Sequence, residues 1–155
     1  MNLSIAPLLK EDLDSAYDLI NFYADQGIVL PRSKKNILKE IENFLVARIN
    51  NQFVGIISFY DYGPNLKEIR SLVVKKNFSN QNIGSSLLIN LVNKIIKKNL
   101  EQIPKIFVLT FSPKFFEKNG FCKVEKSYFP EKIWKDCQKC KNKDDCGETA
   151  LIYKN

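Results

Sequence analysis

The chain predicts an α/β domain built on a mixed sheet, and three observations carry that expectation. Compact β-prone runs alternate with segments whose apolar residues recur at helical spacing, the pattern of interleaved strands and helices. One strand–loop–helix unit spans residues 68–88, where Leu72–Val74 give the strand, Asn, Ser and Gly punctuate the loop, and Leu87 and Leu88 begin the helix. Ile106-Phe107-Val108-Leu109-Thr110-Phe111 is nearly all apolar, as a strand covered on both faces should be. At 155 residues the chain is the size of one ordinary domain with a sizeable core. No repeat, linker or low-complexity stretch divides it, so one domain over 1–155 is expected.

Taken in order, Leu3 to Leu8 form a first strand, ended by Pro7, and a helix opens near Lys10. Its apolar face is Leu13, Ala16, Tyr17, Leu19, Ile20 and Tyr23, and Gln26-Gly27 stops it. Ser33 is the candidate N-cap of a second helix that carries Ile37, Ile41 and Phe44. Phe44 to Ile49 and Phe53 to Tyr60 make a hairpin through Asn50-Asn51. Beyond Gly84, the residues Leu87, Leu88, Leu91, Val92, Ile95 and Ile96 fall on one helical face. A short helix follows the 106–111 strand, from Pro113 to Lys118, and Asn119-Gly120 ends it. Phe121 to Tyr128 resumes extended structure, and Thr149 to Tyr153 forms a final strand.

The loop before the 84–96 helix is the first candidate site. It aims backbone N–H groups and the positive end of the helix dipole at one point, where a phosphate or pyrophosphate fits without a charged side chain. An ordinary strand-to-helix turn shares the same pattern.

Charge narrows the partners. With 24 basic against 17 acidic residues the net charge is +7, which suits an anionic ligand, although Lys34, Lys35, Lys94, Lys97 and Lys98 also fit solvated helix faces. No run combines clustered arginines with stacking aromatics, so nucleic acid is not an expected partner. No apolar run approaches the roughly 20 residues that cross a bilayer, so no membrane partner is expected either. The amino terminus, Met1-Asn2-Leu3-Ser4-Ile5, lacks the basic region and apolar stretch of a secretory signal, and a cytoplasmic location is expected. The chain has no histidine, which removes the commonest general base near neutral pH. Acid–base chemistry therefore falls to carboxylates, hydroxyls, thiols, lysines or bound water.

The order of elements, with these features, resembles the GNAT acetyltransferase superfamily over nearly the whole chain. In that family the loop after the fourth strand reads Arg/Gln-x-x-Gly-x-Gly/Ala and holds the pyrophosphate of acetyl-coenzyme A. The corresponding residues here are Ser79-Asn80-Gln81-Asn82-Ile83-Gly84. Only the last glycine matches: Ser79 replaces the Arg or Gln, and Asn82 replaces the first glycine. A shifted frame, Gln81-x-x-Gly84-x-Ser86, restores the Gln but displaces the loop relative to Leu87-Leu88, so the first register is preferred. Backbone amides survive side-chain changes, and Asn accepts positive φ better than most residues. The resemblance thus implies a mixed, mostly antiparallel sheet flanked by helices, with acetyl-coenzyme A as co-substrate. Ser79, Asn80, Gln81, Asn82, Ile83, Gly84 and Ser85 would cradle it, and the backbone of Leu72, Val73 and Val74 would pair with the pantetheine arm. Phe115-Phe116-Glu117-Lys118-Asn119-Gly120-Phe121 is similar to the family's helix-to-strand ending. Many members place a tyrosine acid four residues before that glycine, where this chain has Phe116, which has no proton to give.

A narrower resemblance, to the acetyltransferase domain of N-acetylglutamate synthases, rests on several segments. These are Gln26-Gly27-Ile28-Val29-Leu30-Pro31-Arg32-Ser33, Glu68-Ile69-Arg70-Ser71-Leu72-Val73-Val74, Phe107-Val108-Leu109-Thr110 and the tail Pro130-Glu131-Lys132-Ile133-Trp134-Lys135-Asp136-Cys137-x-x-Cys140. It implies transfer of acetyl to the α-amino group of L-glutamate, a step of arginine biosynthesis. The amino-acid-kinase-like domain of larger synthases has no room in 155 residues, so arginine feedback through it is not expected. Arginine suits a carboxylate by its planar fork, which makes Arg32 and Arg70 the candidate substrate ligands, with Ser112 and Lys132 as lesser candidates. Each arginine also fits an ion-pair partner at a strand end. Glu68 is the candidate base for the attacking amine, matching the residue assigned that role in larger synthases; a rim carboxylate paired with a lysine is its plainer alternative. Thr110 or bound water is the candidate proton donor to the leaving thiolate.

Cys137-x2-Cys140-x5-Cys146, with Cys122 or Asp136 as a fourth ligand, has partial zinc-site spacing, but free thiols in a reducing compartment explain it better, and no metal is expected. A GNAT enzyme for another small amine or a peptide N-terminus is the nearest competing function. A non-catalytic acetyl-coenzyme A sensor is the competitor from another class. A homodimer is an open option.

Overall fold

A computed structural model describes residues 2–79, 81–125 and 148–154, and the chain divides into two compact units, 1–104 and 105–155. In the first, strand β1 (Leu3–Pro7) leads into a 3-10 turn, Lys10–Asp12, and only then into helix α1 (Leu13–Ala24). The helix expected near Lys10 opens this tightly because the Asp12 carboxylate accepts the Leu9 N–H at 2.9 Å and pairs with Arg48. Gly27 ends the segment at φ +75°, a conformation open to glycine. Helix α2 (Lys34–Lys39) starts where Ser33 Oγ accepts the Asn36 N–H at 3.0 Å. Ile41 lies in a 3-10 turn after α2, and Phe44 is already extended at φ −110° and ψ 144°, so neither continues the helix as expected.

Strands β2 (Phe44–Ile49) and β3 (Gln52–Asp61) form the predicted hairpin. Asn50 and Asn51 both take positive φ, 51° and 69°, as a tight hairpin turn requires. Strand β4 (Leu66–Val74) completes an antiparallel run in the order β1-β2-β3-β4. Ala16, Leu19 and Ile20 of α1 and Ile37 of α2 bury against Phe44, Val46 and Ile56, with Leu13, Tyr17 and Tyr23 packed half-buried beside them. Helix α3 (Ile83–Lys98) buries Leu87, Leu88, Leu91, Val92 and Ile95, each contributing roughly 1.5–3 kcal/mol by burial. Gly55 of β3 admits this helix closely, since a Cβ there would lie 3.2 Å from Leu87 Cδ1 and 3.3 Å from the Val73 carbonyl.

One irregularity positions the candidate site. Ser58 of β3 pairs with Arg70 of β4, whereas Ile56 pairs with Val73, so three steps on β4 face two on β3. The extra residue makes a bulge, and Ser71 within it takes φ +55°.

The second unit contains β5 (Lys105–Thr110), α4 (Pro113–Lys118), β6 (Phe121–Val124) and β7 (Thr149–Tyr153). Its strands are antiparallel in the order β5-β7-β6. Phe116 is buried, edge-on to Phe115 and Phe121 at 5.1 and 5.4 Å. The α/β class with mostly antiparallel strands flanked by helices holds. Among the described residues no helix is long and apolar enough to cross a membrane.

Candidate active site

Residues two apart on a strand share a face, and on β4 this brings Glu68 and Arg70 together. Arg70 Nε donates to Glu68 Oε1 at 2.8 Å, with side-chain exposures of 19% and 8%. Among the described residues Glu68 is thus paired with an arginine on its own strand. Tyr62, just past β3, joins the pair: its hydroxyl donates to Glu68 Oε1 at 3.3 Å and accepts from Arg70 Nη2 at 3.0 Å. The Arg70 guanidinium also lies over the Tyr60 ring at 4.4 Å. Sequence reading missed both tyrosines. Their spacing, Tyr60-Asp61-Tyr62 ahead of Glu68-x-Arg70, is the signal that could have found them, since an antiparallel return opposes Tyr60 to Glu68.

The turn carrying Tyr62 is pinned from within. Lys67 is buried, and its ammonium donates to Asp61 Oδ1 at 2.6 Å and to the Gly63 carbonyl at 2.7 Å. Partial burial pushes the Asp61 carboxyl up, but the hydrogen bonds from Lys67 and the Gly63 N–H outweigh it, and the group titrates below its ordinary value.

Arg32, expected as a substrate ligand, is placed among internal partners. Its Nε donates to Asn36 Oδ1 at 2.8 Å, Nη1 to Ser58 Oγ at 3.0 Å and Ser71 Oγ at 3.1 Å, and Nη2 to Glu40 Oε2 at 2.9 Å. Its guanidinium sits over the Phe44 ring at 4.8 Å. Burial lowers its pKa, Glu40 opposes that, and nearby Arg70 adds to it. An arginine remains charged throughout.

At the other end of β4, the Val74 carbonyl accepts the Tyr23 hydroxyl at 2.7 Å, and the Lys75 N–H donates to the Val54 carbonyl at 2.7 Å. Leu72 is half-buried and Val73 buried. Ser79 follows the 3-10 turn Lys76–Phe78. Asn82 stands at φ 59° and ψ 19° as the residue before α3, the left-handed conformation its side chain was expected to tolerate. The first bond of the helix is Ser86 N–H to Asn82 O at 3.1 Å, so the Ile83 and Gly84 amides precede the helical ladder. Ile83 is fully buried and offers only backbone to a ligand. Ser85 is half-buried in the first turn. Gln81 Oε1 is buried without a hydrogen-bond partner among the described residues. Asn80 lies outside them.

In the second unit, Thr110 Oγ1 accepts the Ser112 N–H at 2.9 Å, and Ser112 is exposed before α4. Lys132, Asp136, Cys137, Cys140 and Cys146 lie outside the described residues. Cys122 is a half-buried free thiol on β6, and no cluster of three metal-ligating side chains occurs among the described residues.

Comparison with known proteins bears on the family and the fold. Residues 40–123 match the acetyltransferase (GNAT) domain. An uncharacterized N-acetyltransferase of Chlorobaculum tepidum is 39% identical over 130 residues, which cover 84% of this chain and 82% of that one. An amino-acid acetyltransferase of Vibrio atlanticus is 25% identical over 122 residues, 77% of this chain but 27% of that protein, so the chain spans about a quarter of its length. Among solved structures, the N-acetylglutamate synthase of Neisseria gonorrhoeae, complexed with coenzyme A and N-acetyl-glutamate, superposes with a TM-score of 0.84 at 21% identity, over 99% of this chain and 35% of that one. Fold and match together define an acyltransferase that moves acetyl from acetyl-coenzyme A to an amine. The chain belongs to the GNAT acetyltransferase family.

Proposed function

We propose that this chain transfers acetyl from acetyl-coenzyme A to the α-amino group of L-glutamate, the reaction of an N-acetylglutamate synthase. The single observation that carries the reading is the Glu68–Arg70 pair, a carboxylate and a guanidinium 2.8 Å apart on one strand face. An α-amino acid presents an ammonium beside a carboxylate, and the pair offers the complementary charges side by side. Relatives named amino-acid acetyltransferase and a structural neighbour complexed with N-acetyl-glutamate support it.

Glu68 takes a proton from the substrate ammonium, directly or through water, and frees the nitrogen lone pair. The amine attacks the thioester carbonyl, the C–N bond forms and the C–S bond breaks. The attacking nitrogen loses its second proton to solvent water as the C–S bond breaks, and the leaving thiolate takes a proton from water, directly or relayed by Thr110. Arg70 orients the acceptor carboxylate, and Ser112 and Lys132 are the additional candidate contacts. Phe116 has no proton to give, so no acid is assigned there; proximity of amine and thioester supplies much of the rate. The coenzyme pyrophosphate lies against the amides that open α3, and the orphaned Gln81 Oε1 fits an N–H donor such as those of the pantetheine arm.

Thiol release from acetyl-coenzyme A tests the reading, with glutamate, glutamine, a polyamine, an aminoglycoside and a peptide N-terminus as acceptors. Glutamate should give the highest kcat/KM. Activity confined to a cationic amine would overturn the assignment.

A further inference from the structure

We propose that Arg32 is a positioning residue whose guanidinium, acting with Ser58, fixes the bulge that divides β4 into an acceptor-facing and a coenzyme-facing half. Ser71 holds φ +55°, a conformation that L-residues other than Asn and Asp seldom take, so its surroundings must impose it. A single nitrogen supplies the constraint. Arg32 Nη1 donates to Ser71 Oγ at 3.1 Å and to Ser58 Oγ at 3.0 Å, and the Ser58 hydroxyl in turn donates a hydrogen bond to the Arg70 carbonyl at 3.1 Å. The residue in the bulge and the residue before it are therefore held from one point, one by side chain and one by backbone. Ser58 is fully buried and Arg32 9% exposed, so water competes poorly for these bonds.

The rest of the guanidinium is anchored. Asn36 and Glu40 hold Nε and Nη2, and the Asn21 side-chain amide bonds both the N–H and the carbonyl of Arg32. Of the five N–H donors, one lacks a partner among the described residues, and a bidentate carboxylate needs two. Arg32 thus acts on both halves of β4 without touching the acceptor. Naming the two halves rests on the function proposed above, but the first arm of the test does not.

Coenzyme A binding is measured by calorimetry with no acceptor present, for wild type and for Arg32→Lys, Ser71→Ala, Ser71→Gly and the double variant Arg32→Lys/Ser71→Gly. Steady-state constants follow with the most active amine of the panel. Arg32→Lys should weaken coenzyme A at least fivefold and lower kcat at least tenfold, while the acceptor KM moves less than threefold. Glycine takes positive φ freely, so the Arg32→Lys penalty should shrink to a third or less in the Ser71→Gly background. A rise in acceptor KM alone, with coenzyme A affinity unchanged, would make Arg32 a substrate ligand and overturn the proposal. Should Arg32→Lys not fold, Ser58→Ala and Ser71→Ala carry the test: each should weaken coenzyme A at least threefold, and unchanged affinity in both overturns it. A silent glutamate assay refutes the glutamate reading and leaves the binding arm readable.

Discussion

Arg70 Nε lies 2.8 Å from Oε1 of Glu68, two positions back on the same face of β4, and the Tyr62 hydroxyl bonds to both. The proposed base and the proposed carboxylate ligand are therefore one hydrogen-bonded unit, and substitutions within it should separate by kinetic constant.

Glu68→Gln keeps the shape and much of the hydrogen bonding but removes the proton acceptor. We expect kcat to fall roughly 10²–10⁴-fold, with both KM values within about threefold. Thiol-release kinetics check this, and a kcat near wild type would exclude Glu68 as the base.

Arg70→Ala should raise the glutamate KM about tenfold or more, the scale of one charge-assisted hydrogen bond, with little change for acetyl-coenzyme A. Arg70→Lys should not restore it, because an ammonium lacks the planar fork and the stacking over Tyr60. Equal rises in both KM values would place Arg70 outside the acceptor site.

The Asp61–Lys67 pair makes a prediction in pH. Asp61 titrates below its ordinary value, so the stability it contributes is present above the unfolded carboxyl pKa of about 3.9 and is lost as pH falls through the lower folded value. Asp61→Asn leaves the buried Lys67 with the Gly63 carbonyl as its remaining partner of the two. The cost near neutral pH should be about 1 kcal/mol, below that of a fully buried pair because Asp61 is 53% exposed. Urea titrations across pH should show the two proteins converging as acid protonates Asp61; a gap that widens in acid would contradict this.

Asn82→Gly should raise the thermal midpoint slightly and preserve coenzyme A binding, since glycine takes φ 59° without a Cβ penalty. Asn82→Val should cost about 1–2 kcal/mol and weaken coenzyme A, because the turn that presents the α3 amides is strained by a branched residue. Scanning calorimetry and titration with coenzyme A decide it.

Much of the local architecture was legible because local rules govern it. The Asn50-Asn51 hairpin, the Ser33 cap, the α3 apolar face and the bounds of α4 and β7 follow from turn chemistry, capping and periodicity. Phe44 was ambiguous because an apolar residue at helical spacing also starts a strand, and pairing with Ser58 decided for β2. Glu68 and Arg70 were legible as candidates through the family resemblance and their place in the strand that became β4. Tyr62 was not, because a turn residue meets the strand only after the chain doubles back.

The sequence by itself determined the elements, the family resemblance and the absence of histidine, since these depend on residue type and near spacing alone. Only the tertiary structure decided how the two arginines are used. Arg32 is joined to Ser58 and Ser71, 26 and 39 residues away, and Arg70 to a carboxylate two residues away. A guanidinium has the same five donors wherever it stands, and which partners saturate them depends on contacts between segments distant in the chain.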